Sequence, residues 1–202
     1  MVPIVYLPGA GGAAAFWKAV ADRLADLGRP VRLGWPGFGD EPADPAVHSL
    51  RDLVRWTLSR MPPGACDVVA QSMGGVVAAS LALDHPERVR RLVLCATSGG
   101  VHVASLGQQD WRPEYRAAFF DAPDWFIVDR TDLTARLSTL GAPTLVVHGD
   151  RDPICPVRLA RFLAEHIPGA TYARVAGGDH MVARDRPEEV AAILRGHLAG
   201  PP

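Results

Sequence analysis

The chain has 202 residues, of which 48% are hydrophobic and 21% are charged, and its formal net charge is −1 at pH 7. This is the composition of an ordinary globular protein, and the balanced charge gives no reason to expect nucleic acid or an anionic membrane as a partner. The three cysteines are widely spaced and no apolar stretch is long enough to span a bilayer, so the sequence indicates no disulfide framework, zinc site or transmembrane segment.

Short β-branched runs alternate with helical patterns along the chain. This alternation predicts an α/β fold, with a doubly wound and mostly parallel sheet of about six strands and helices on both faces. A helical pattern with an apolar face follows the first strand, over Phe16–Leu27, and Ser49 is placed to cap the helix before the third strand. The predicted strands are, in chain order, Val2–Leu7, Val31–Leu33, Cys66–Ala70, Val89–Cys95, Pro143–His148 and Thr171–Val175.

Residues from about 98 to 140 depart from this alternation and contain aromatic residues among scattered charges. We expect one domain over 1–202, with this segment inserted over the sheet as a short lid of one or two helices. Aromatic side chains here would line a substrate pocket, or would only attach the lid to the sheet, and both readings stay open. The predicted substrate contacts are Trp17, His102, Phe119, Phe120, Trp125 and Phe126.

The stretch Ala70–Gly74 (AQSMG) lies between the third predicted strand and an apolar, helix-like run. A serine on a sharp turn between strand and helix presents its hydroxyl above the end of a sheet, at the positive end of the helix. The stretch matches the G-x-S-x-G nucleophile pattern, with alanine in place of the first glycine. Ser72 is therefore a candidate nucleophile, and the alternative is an ordinary serine in a surface turn. Ser98 is a weaker rival because no such turn surrounds it.

A serine hydroxyl needs a base to take its proton, and an acid must hold that base in one tautomer. In a doubly wound sheet these groups belong at the carboxyl ends of strands. Residues 148–153 (HGDRDP) follow the fifth predicted strand, and residues 176–180 (AGGDH) follow the sixth. We predict Asp152 as the acid and His180 as the base, with Asp150 as the alternative acid.

The order serine, acid, histidine is the order expected of an α/β-hydrolase. Together with G-x-x-D at 149–152, PGFG at 36–39 and HPERV at 85–89, it makes the chain resemble the α/β-hydrolase superfamily over nearly its whole length. Within that superfamily, the chain resembles the small esterase and lactonase-like branch. It departs from the family pattern at Pro8, where a histidine is usual, and at Asp179, where a glycine is usual. Typical members also carry two more strands before the first one here.

The resemblance implies hydrolysis of a carboxylic ester, lactone or thioester through an acyl-enzyme on Ser72, with a small-molecule substrate and neither cofactor nor metal. The amide of Met73, directly after the nucleophile, would donate to the oxyanion, and the resemblance assigns the second donor to Ala10. The loss of one such donor costs about 10²–10³ in rate.

Two other functions stay open, namely an elimination or carbon–carbon bond cleavage on the same three residues, and non-catalytic binding of a small ligand. A Rossmann-type nucleotide protein is disfavoured because Gly9–Gly12 lacks the G-x-G-x-x-G spacing. Val31–Leu33 would lie at a sheet edge, which motivates the hypothesis of a homodimer through that edge or through the lid. The apolar start Met1–Leu7 lacks a basic n-region, so we expect a cytoplasmic protein rather than a secreted one.

Overall fold

The computed structural model of the chain describes residues 1–38, 41–102, 106, 110–120 and 123–200. Within these ranges, six strands form one sheet in the order β2-β1-β3-β4-β5-β6, and every neighbouring pair is parallel. The predicted α/β fold with a doubly wound sheet of about six strands is confirmed. The strands are β1 Ile4–Leu7, β2 Pro30–Arg32, β3 Cys66–Gln71, β4 Val89–Cys95, β5 Thr144–Gly149 and β6 Thr171–Val175.

Helices follow the strands as the periodicity predicts, with one difference near the start. The helix expected over Phe16–Leu27 is a 3-10 turn, Ala14–Trp17, followed by a helix of six residues. The cap at Ser49 is confirmed, because its Oγ accepts a hydrogen bond of 3.1 Å from the Asp52 N–H. The α-helices are α1 Lys18–Arg23, α2 Leu50–Arg60, α3 Met73–Asp84, α4 Arg112–Ala118, α5 Asp124–Val128, α6 Val157–His166, α7 Val182–Asp185 and α8 Pro187–Leu198.

The core lies on both faces of the sheet. Successive side chains of a strand point to opposite faces, so Val68 of β3 packs with α2, α3 and α6, whereas Val69 packs with α1 and α8. Both faces of the central strands are therefore buried, which is why these strands are nearly continuous apolar runs. This burial fixes the sheet and leaves the loops after the strands to carry chemistry.

The described part of the predicted lid contains α4, α5 and a 3-10 turn at Thr134–Thr139. Residues 103–105, 107–109 and 121–122 of the predicted lid lie outside the described residues, as does Gly39 of the predicted PGFG turn. The assignment of the chain to one domain with a lid insertion stays a prediction. Among the helices of the described ranges, none combines the length and the apolar character needed to cross a bilayer.

Candidate active site

The parallel sheet brings the three predicted catalytic side chains together at the carboxyl ends of its strands. Ser72 follows β3, Asp152 follows β5 and His180 follows β6, and the carboxyl ends of parallel strands meet at the same edge of a sheet. Residues more than 100 positions apart in the chain therefore become neighbours. The topology alone explains why these loops converge.

Ser72 lies in a strained turn. Its backbone has φ 52° and ψ −120°, a positive φ that a residue with a side chain rarely adopts. The surrounding structure holds this conformation, because the Ser72 N–H donates to the Cys95 carbonyl at 3.1 Å and the Thr97 hydroxyl donates to the Ser72 carbonyl at 2.5 Å. The small residue at Gly74 is also required, since a Cβ there would lie 2.4 Å from the Pro8 carbonyl oxygen. The turn therefore fits tightly against the loop after β1.

A continuous row of hydrogen bonds joins the three side chains. The distance from His180 Nε2 to Ser72 Oγ is 3.1 Å, and the distance from His180 Nδ1 to Asp152 Oδ2 is 2.9 Å. A carboxylate only accepts hydrogen bonds, so we assign the imidazole proton to Nδ1, which leaves Nε2 to accept from the serine hydroxyl. Asp152 is itself fixed, because its Oδ1 accepts from the N–H groups of Ile154 and Cys155, both at 2.9 Å.

Asp150, the alternative acid, makes other contacts, and so does Asp179, the residue before His180. Asp150 accepts a hydrogen bond of 2.7 Å from the Gly177 N–H and lies 3.7 Å from the Arg174 guanidinium. Asp179 accepts from the Met181 N–H at 2.8 Å, within its own loop. Both carboxylates therefore stabilise the loops after β5 and β6 rather than contact the imidazole.

The loop Pro8–Gly12 lies against the serine turn, and we call it the oxyanion loop. A Cβ added to Gly9 would lie 3.1 Å from Ser72 Cβ, so the approach is close. The Gly9 carbonyl accepts from Trp35 Nε1 at 3.0 Å and from the Gly12 N–H at 3.1 Å. In a trans peptide the N–H points opposite to the carbonyl, so the Ala10 N–H points away from both donors.

The two predicted oxyanion donors are unpaired in the described part of the chain. Neither the Ala10 N–H nor the Met73 N–H has a hydrogen-bond acceptor there. Met73 is the first residue of α3, where the helix itself offers no acceptor to the N–H. Both amides are therefore available to an added negative oxygen.

A cavity of about 1070 Å³ opens beside Ser72 and His180. Of the predicted substrate contacts, His102, Phe119 and Phe126 line it. The volume exceeds that of a small acyl group, and its walls are mostly apolar and aromatic. The site therefore has room for a ligand beside the hydrogen-bonded row.

Three predicted substrate contacts do not line the cavity. Trp17 is 1% exposed and donates from Nε1 to the Leu7 carbonyl at 2.9 Å, because a buried indole N–H needs an acceptor and a strand end supplies one. Trp125 packs edge-on against Phe38 at 5.9 Å and attaches the lid to the body. Phe120 is 89% exposed and points outward. The structure therefore places these three residues away from the cavity, contrary to the sequence prediction.

Two residues that carry no clear signal in the sequence contact the site. Gln71 is buried and donates from Nε2 to the His180 carbonyl at 3.2 Å, linking the serine turn to the histidine loop. Tyr115 lines the cavity and donates from its hydroxyl to the Ala10 carbonyl at 2.8 Å. The variable position of the nucleophile pattern gave no signal for Gln71. The aromatic residues of the lid indicate that a residue such as Tyr115 can line the cavity, but they do not indicate its hydrogen bond to the Ala10 carbonyl.

Two cysteine thiols lie near the hydrogen-bonded row, and their raised pKa values make both of them poor nucleophiles. Cys155 lines the cavity, and its Sγ lies within 4.8 Å of ligand atoms of Asp152 and His180, a donor set of the kind that also binds metals. Burial raises the pKa of the Cys155 thiol well above 9, and burial raises the pKa of the Cys95 thiol to about 12. Both therefore stay protonated and unreactive at neutral pH.

His148 lies near the end of β5, directly before the loop that carries Asp152, and it is buried. Neither of its ring nitrogens has a hydrogen-bond partner among the residues described, and the ring stacks on Tyr172 with 6.5 Å between centroids. Burial lowers the pKa of His148, while the charges of Asp152 and Asp150 act in the opposite direction. The imidazole is thus held in its neutral form.

Comparison with known proteins finds similarity over most of the chain. A family model described as the alpha/beta hydrolase fold matches residues 2–114 and 96–187. The chain is 28% identical to the dihydrolipoyllysine-residue acetyltransferase component of the acetoin cleaving system of Cupriavidus necator, over 98% of this chain and 63% of that protein. It spans, then, less than two thirds of that relative's length.

Two further proteins are similar over nearly the whole chain. The 2-hydroxymuconate semialdehyde hydrolase of Pseudomonas putida is 28% identical over 95% of this chain and 82% of its own length. The solved structure of an esterase from Exiguobacterium antarcticum superimposes with a TM-score of 0.82 at 19% identity, covering 99% of this chain and 92% of the esterase. At that identity the superposition reports a shared fold.

Proposed function

The chain belongs to the α/β-hydrolase fold family, and from that premise we propose that it is a serine hydrolase acting on a small carboxylic ester, lactone or thioester. The observation that carries the proposal is the hydrogen-bonded row of Ser72, His180 and Asp152 at the mouth of an apolar cavity. A hydrolase among the relatives and an esterase among the structures of the same fold support it.

In the first half of the reaction, Ser72 Oγ attacks the carbonyl carbon of the substrate while His180 Nε2 takes the hydroxyl proton. The carbonyl electron pair moves onto oxygen, and the N–H groups of Ala10 and Met73 stabilise that oxyanion. Asp152 keeps the imidazole in the required tautomer and stabilises the imidazolium. The tetrahedral intermediate then collapses, and His180 gives its proton to the departing alkoxide or thiolate.

In the second half, a water molecule replaces the departed group. His180 takes a proton from this water as it attacks the acyl carbon, and the same two amides hold the second oxyanion. The ester bond to Ser72 breaks, the serine recovers its proton from His180, and the carboxylic acid leaves.

The proposal is tested by Ser72→Ala on a panel of p-nitrophenyl esters and simple lactones. We expect kcat to fall by about 10⁴- to 10⁶-fold, because the acyl-enzyme cannot form. Ser98→Ala is the matched control at the rival serine, which also lines the cavity, and it should still turn over these esters. A fluorophosphonate should label the parent protein at Ser72 and leave the Ser72→Ala variant unlabelled. Unchanged turnover in Ser72→Ala would overturn the assignment.

A second candidate comes from the relative named as a 2-hydroxymuconate semialdehyde hydrolase. On the same three residues, Ser72 would act as a base in an elimination or in carbon–carbon bond cleavage. The two candidates differ in the covalent step. Slow cleavage of every simple ester, without fluorophosphonate labelling of Ser72, would favour the second. Tight binding of a small molecule without turnover would favour the non-catalytic alternative.

A further inference from the structure

A tyrosine side chain of the lid is hydrogen-bonded to the oxyanion loop. The hydroxyl of Tyr115, on α4, donates to the Ala10 carbonyl at 2.8 Å, across 105 positions of sequence. Ala10 has Gly9 and Gly11 as its neighbours, and residues without a Cβ leave a backbone many conformations. A hydrogen bond to the Ala10 carbonyl therefore restrains the residue whose N–H is the proposed oxyanion donor.

The ring of the same tyrosine belongs to a cluster that lines the cavity. Tyr115 stacks on Phe119 with 4.9 Å between centroids, and its ring meets Phe126 edge-on at 5.3 Å. Phe119 in turn reaches the oxyanion loop, since a Cβ at Gly11 would lie 3.9 Å from its Cζ. We call this cluster the aromatic roof; its members are Trp111, Tyr115, Phe119 and Phe126, all of which line the cavity.

The position of α4 depends on these contacts. The helix has only seven residues, and helices this short have little stability of their own. Packing of the aromatic roof therefore sets where the Tyr115 hydroxyl lies. An apolar acyl group in the cavity would add contacts to the same rings and hold the helix more firmly.

We propose that Tyr115 is a positioning residue that couples an apolar acyl group in the cavity to the oxyanion loop, so that kcat increases with acyl length. This inference rests on the proposed serine hydrolase function and names its substrate class, which is esters with an apolar acyl chain longer than acetyl. Binding energy gained on the aromatic roof helps to hold the Ala10 N–H toward the substrate oxygen, on which negative charge develops in the transition state. Such energy raises kcat rather than lowering KM.

The test is Tyr115→Phe, which removes the hydroxyl and keeps the ring. The values of kcat and KM are measured on p-nitrophenyl acetate, butyrate and hexanoate. In the parent protein we expect kcat to rise along this series. In the variant we expect kcat to fall about three- to tenfold on the two longer esters, as for the loss of one hydrogen bond, and less on acetate. KM should stay within about twofold, because the ring still contacts the acyl group.

Tyr172→Phe is the matched control. It makes the same chemical change in β6, outside the cavity lining, at a hydroxyl without a hydrogen-bond partner among the described residues. All three kcat values should be unchanged. If Tyr115→Phe melts below the assay temperature, Phe119→Leu replaces it, because this variant loosens the stack on Tyr115 and keeps the hydroxyl. It should flatten the dependence of kcat on acyl length in the same way.

The result that overturns the inference is a Tyr115→Phe variant, or its Phe119→Leu replacement, in which kcat keeps the parent's dependence on acyl length. A change confined to KM would also overturn it, since the tyrosine would then only contribute to binding. Failure of the proposed function looks different. In that case Ser72→Ala keeps its turnover on the same esters, whatever the Tyr115 variant does.

Discussion

Asp152 determines which nitrogen of His180 carries the proton. Its Oδ1 is occupied by two main-chain N–H groups and its Oδ2 faces His180 Nδ1. In Asp152→Asn, the amide oxygen would stay with the main-chain donors and the amide nitrogen would face Nδ1. The imidazole would then carry its proton on Nε2 and could not accept from Ser72. We expect kcat on p-nitrophenyl butyrate to fall about 10⁴-fold, with an unchanged melting temperature.

Asp150→Asn is the control for this prediction, because it makes the same change two residues earlier. The amide oxygen can still accept from the Gly177 N–H, so kcat should stay within about twofold of the parent value, as for a surface substitution. A large loss in Asp150→Asn with none in Asp152→Asn would show that the acid is Asp150. The two variants together decide between the alternatives that the sequence leaves open.

The sequence predicts which residues meet in the hydrogen-bonded row better than it predicts which residues line the pocket. Ser72, Asp152 and His180 each follow a strand of a parallel sheet, so the topology that brings them together could be derived from the chain order. Trp17 and Phe119 carry no comparable signal. Both are aromatic residues near helical patterns, and only the tertiary packing decides that Trp17 is buried in the core while Phe119 lines the cavity.

The first turn of α3 fits closely against the loop after β1. A methyl group added at Gly74 would lie 2.4 Å from the Pro8 carbonyl oxygen and 2.8 Å from the Leu7 carbonyl oxygen, so the backbone would have to move. We expect Gly74→Ala to lower the free energy of unfolding by about 1–3 kcal/mol. The same shift displaces the oxyanion loop, so kcat should fall as well. Urea denaturation and steady-state kinetics measure the two effects.

Gly196→Ala is the matched control for this substitution. Gly196 lies in α8, and a Cβ there would meet nothing within 4 Å. Alanine in an open helical position stabilises a protein by about 0.5–1 kcal/mol, so this variant should be more stable and equally active. Similar stability in the two variants would show that close packing at Gly74 is not what requires a glycine.

The sequence predicts the order and type of the main elements but not the interruption near α1. Continuous apolar runs and alternating helices reflect burial on both sheet faces, which is a long and redundant signal. The apolar spacing over Phe16–Leu27 also fits a helix, yet α1 ends at Arg23 and turns follow it. Leu24 is buried in the turns as it would be in a helix, so the spacing of apolar residues cannot distinguish the two.

At the scale of the whole molecule, the homodimer stays a prediction. The edge strand β2 is only three residues long and contains Pro30, which has no N–H, and an exposed Arg32, and such edges resist pairing. The lid is the better candidate, because Phe120 is 89% exposed and Val128 is 59% exposed. We expect sedimentation velocity to detect a dimer that Phe120→Ser dissociates. A monomer at high concentration would remove the hypothesis.

The stability of the whole molecule should depend on pH through the histidines whose pKa is lowered by burial, above all His148. Burial lowers the pKa of His148 below its ordinary value of 6.5, so below that pH the unfolded chain binds a proton that the folded protein resists. The contribution of His148 to the free energy of unfolding is therefore present in full above pH 6.5, and it is lost as the pH falls toward 5. Denaturant midpoints measured from pH 7.5 to 5 give this slope.

His148→Phe isolates the contribution of this residue. The phenyl ring can keep the stack on Tyr172, and it gives up no hydrogen bond, since neither ring nitrogen of His148 has a partner in the described ranges. The variant should be at least as stable as the parent at pH 7.5 and should lose less stability on acidification. Burial also lowers the pKa of His197, so part of the slope should remain in the variant. A slope identical to that of the parent would mean that the charges of Asp152 and Asp150 compensate for the burial of His148.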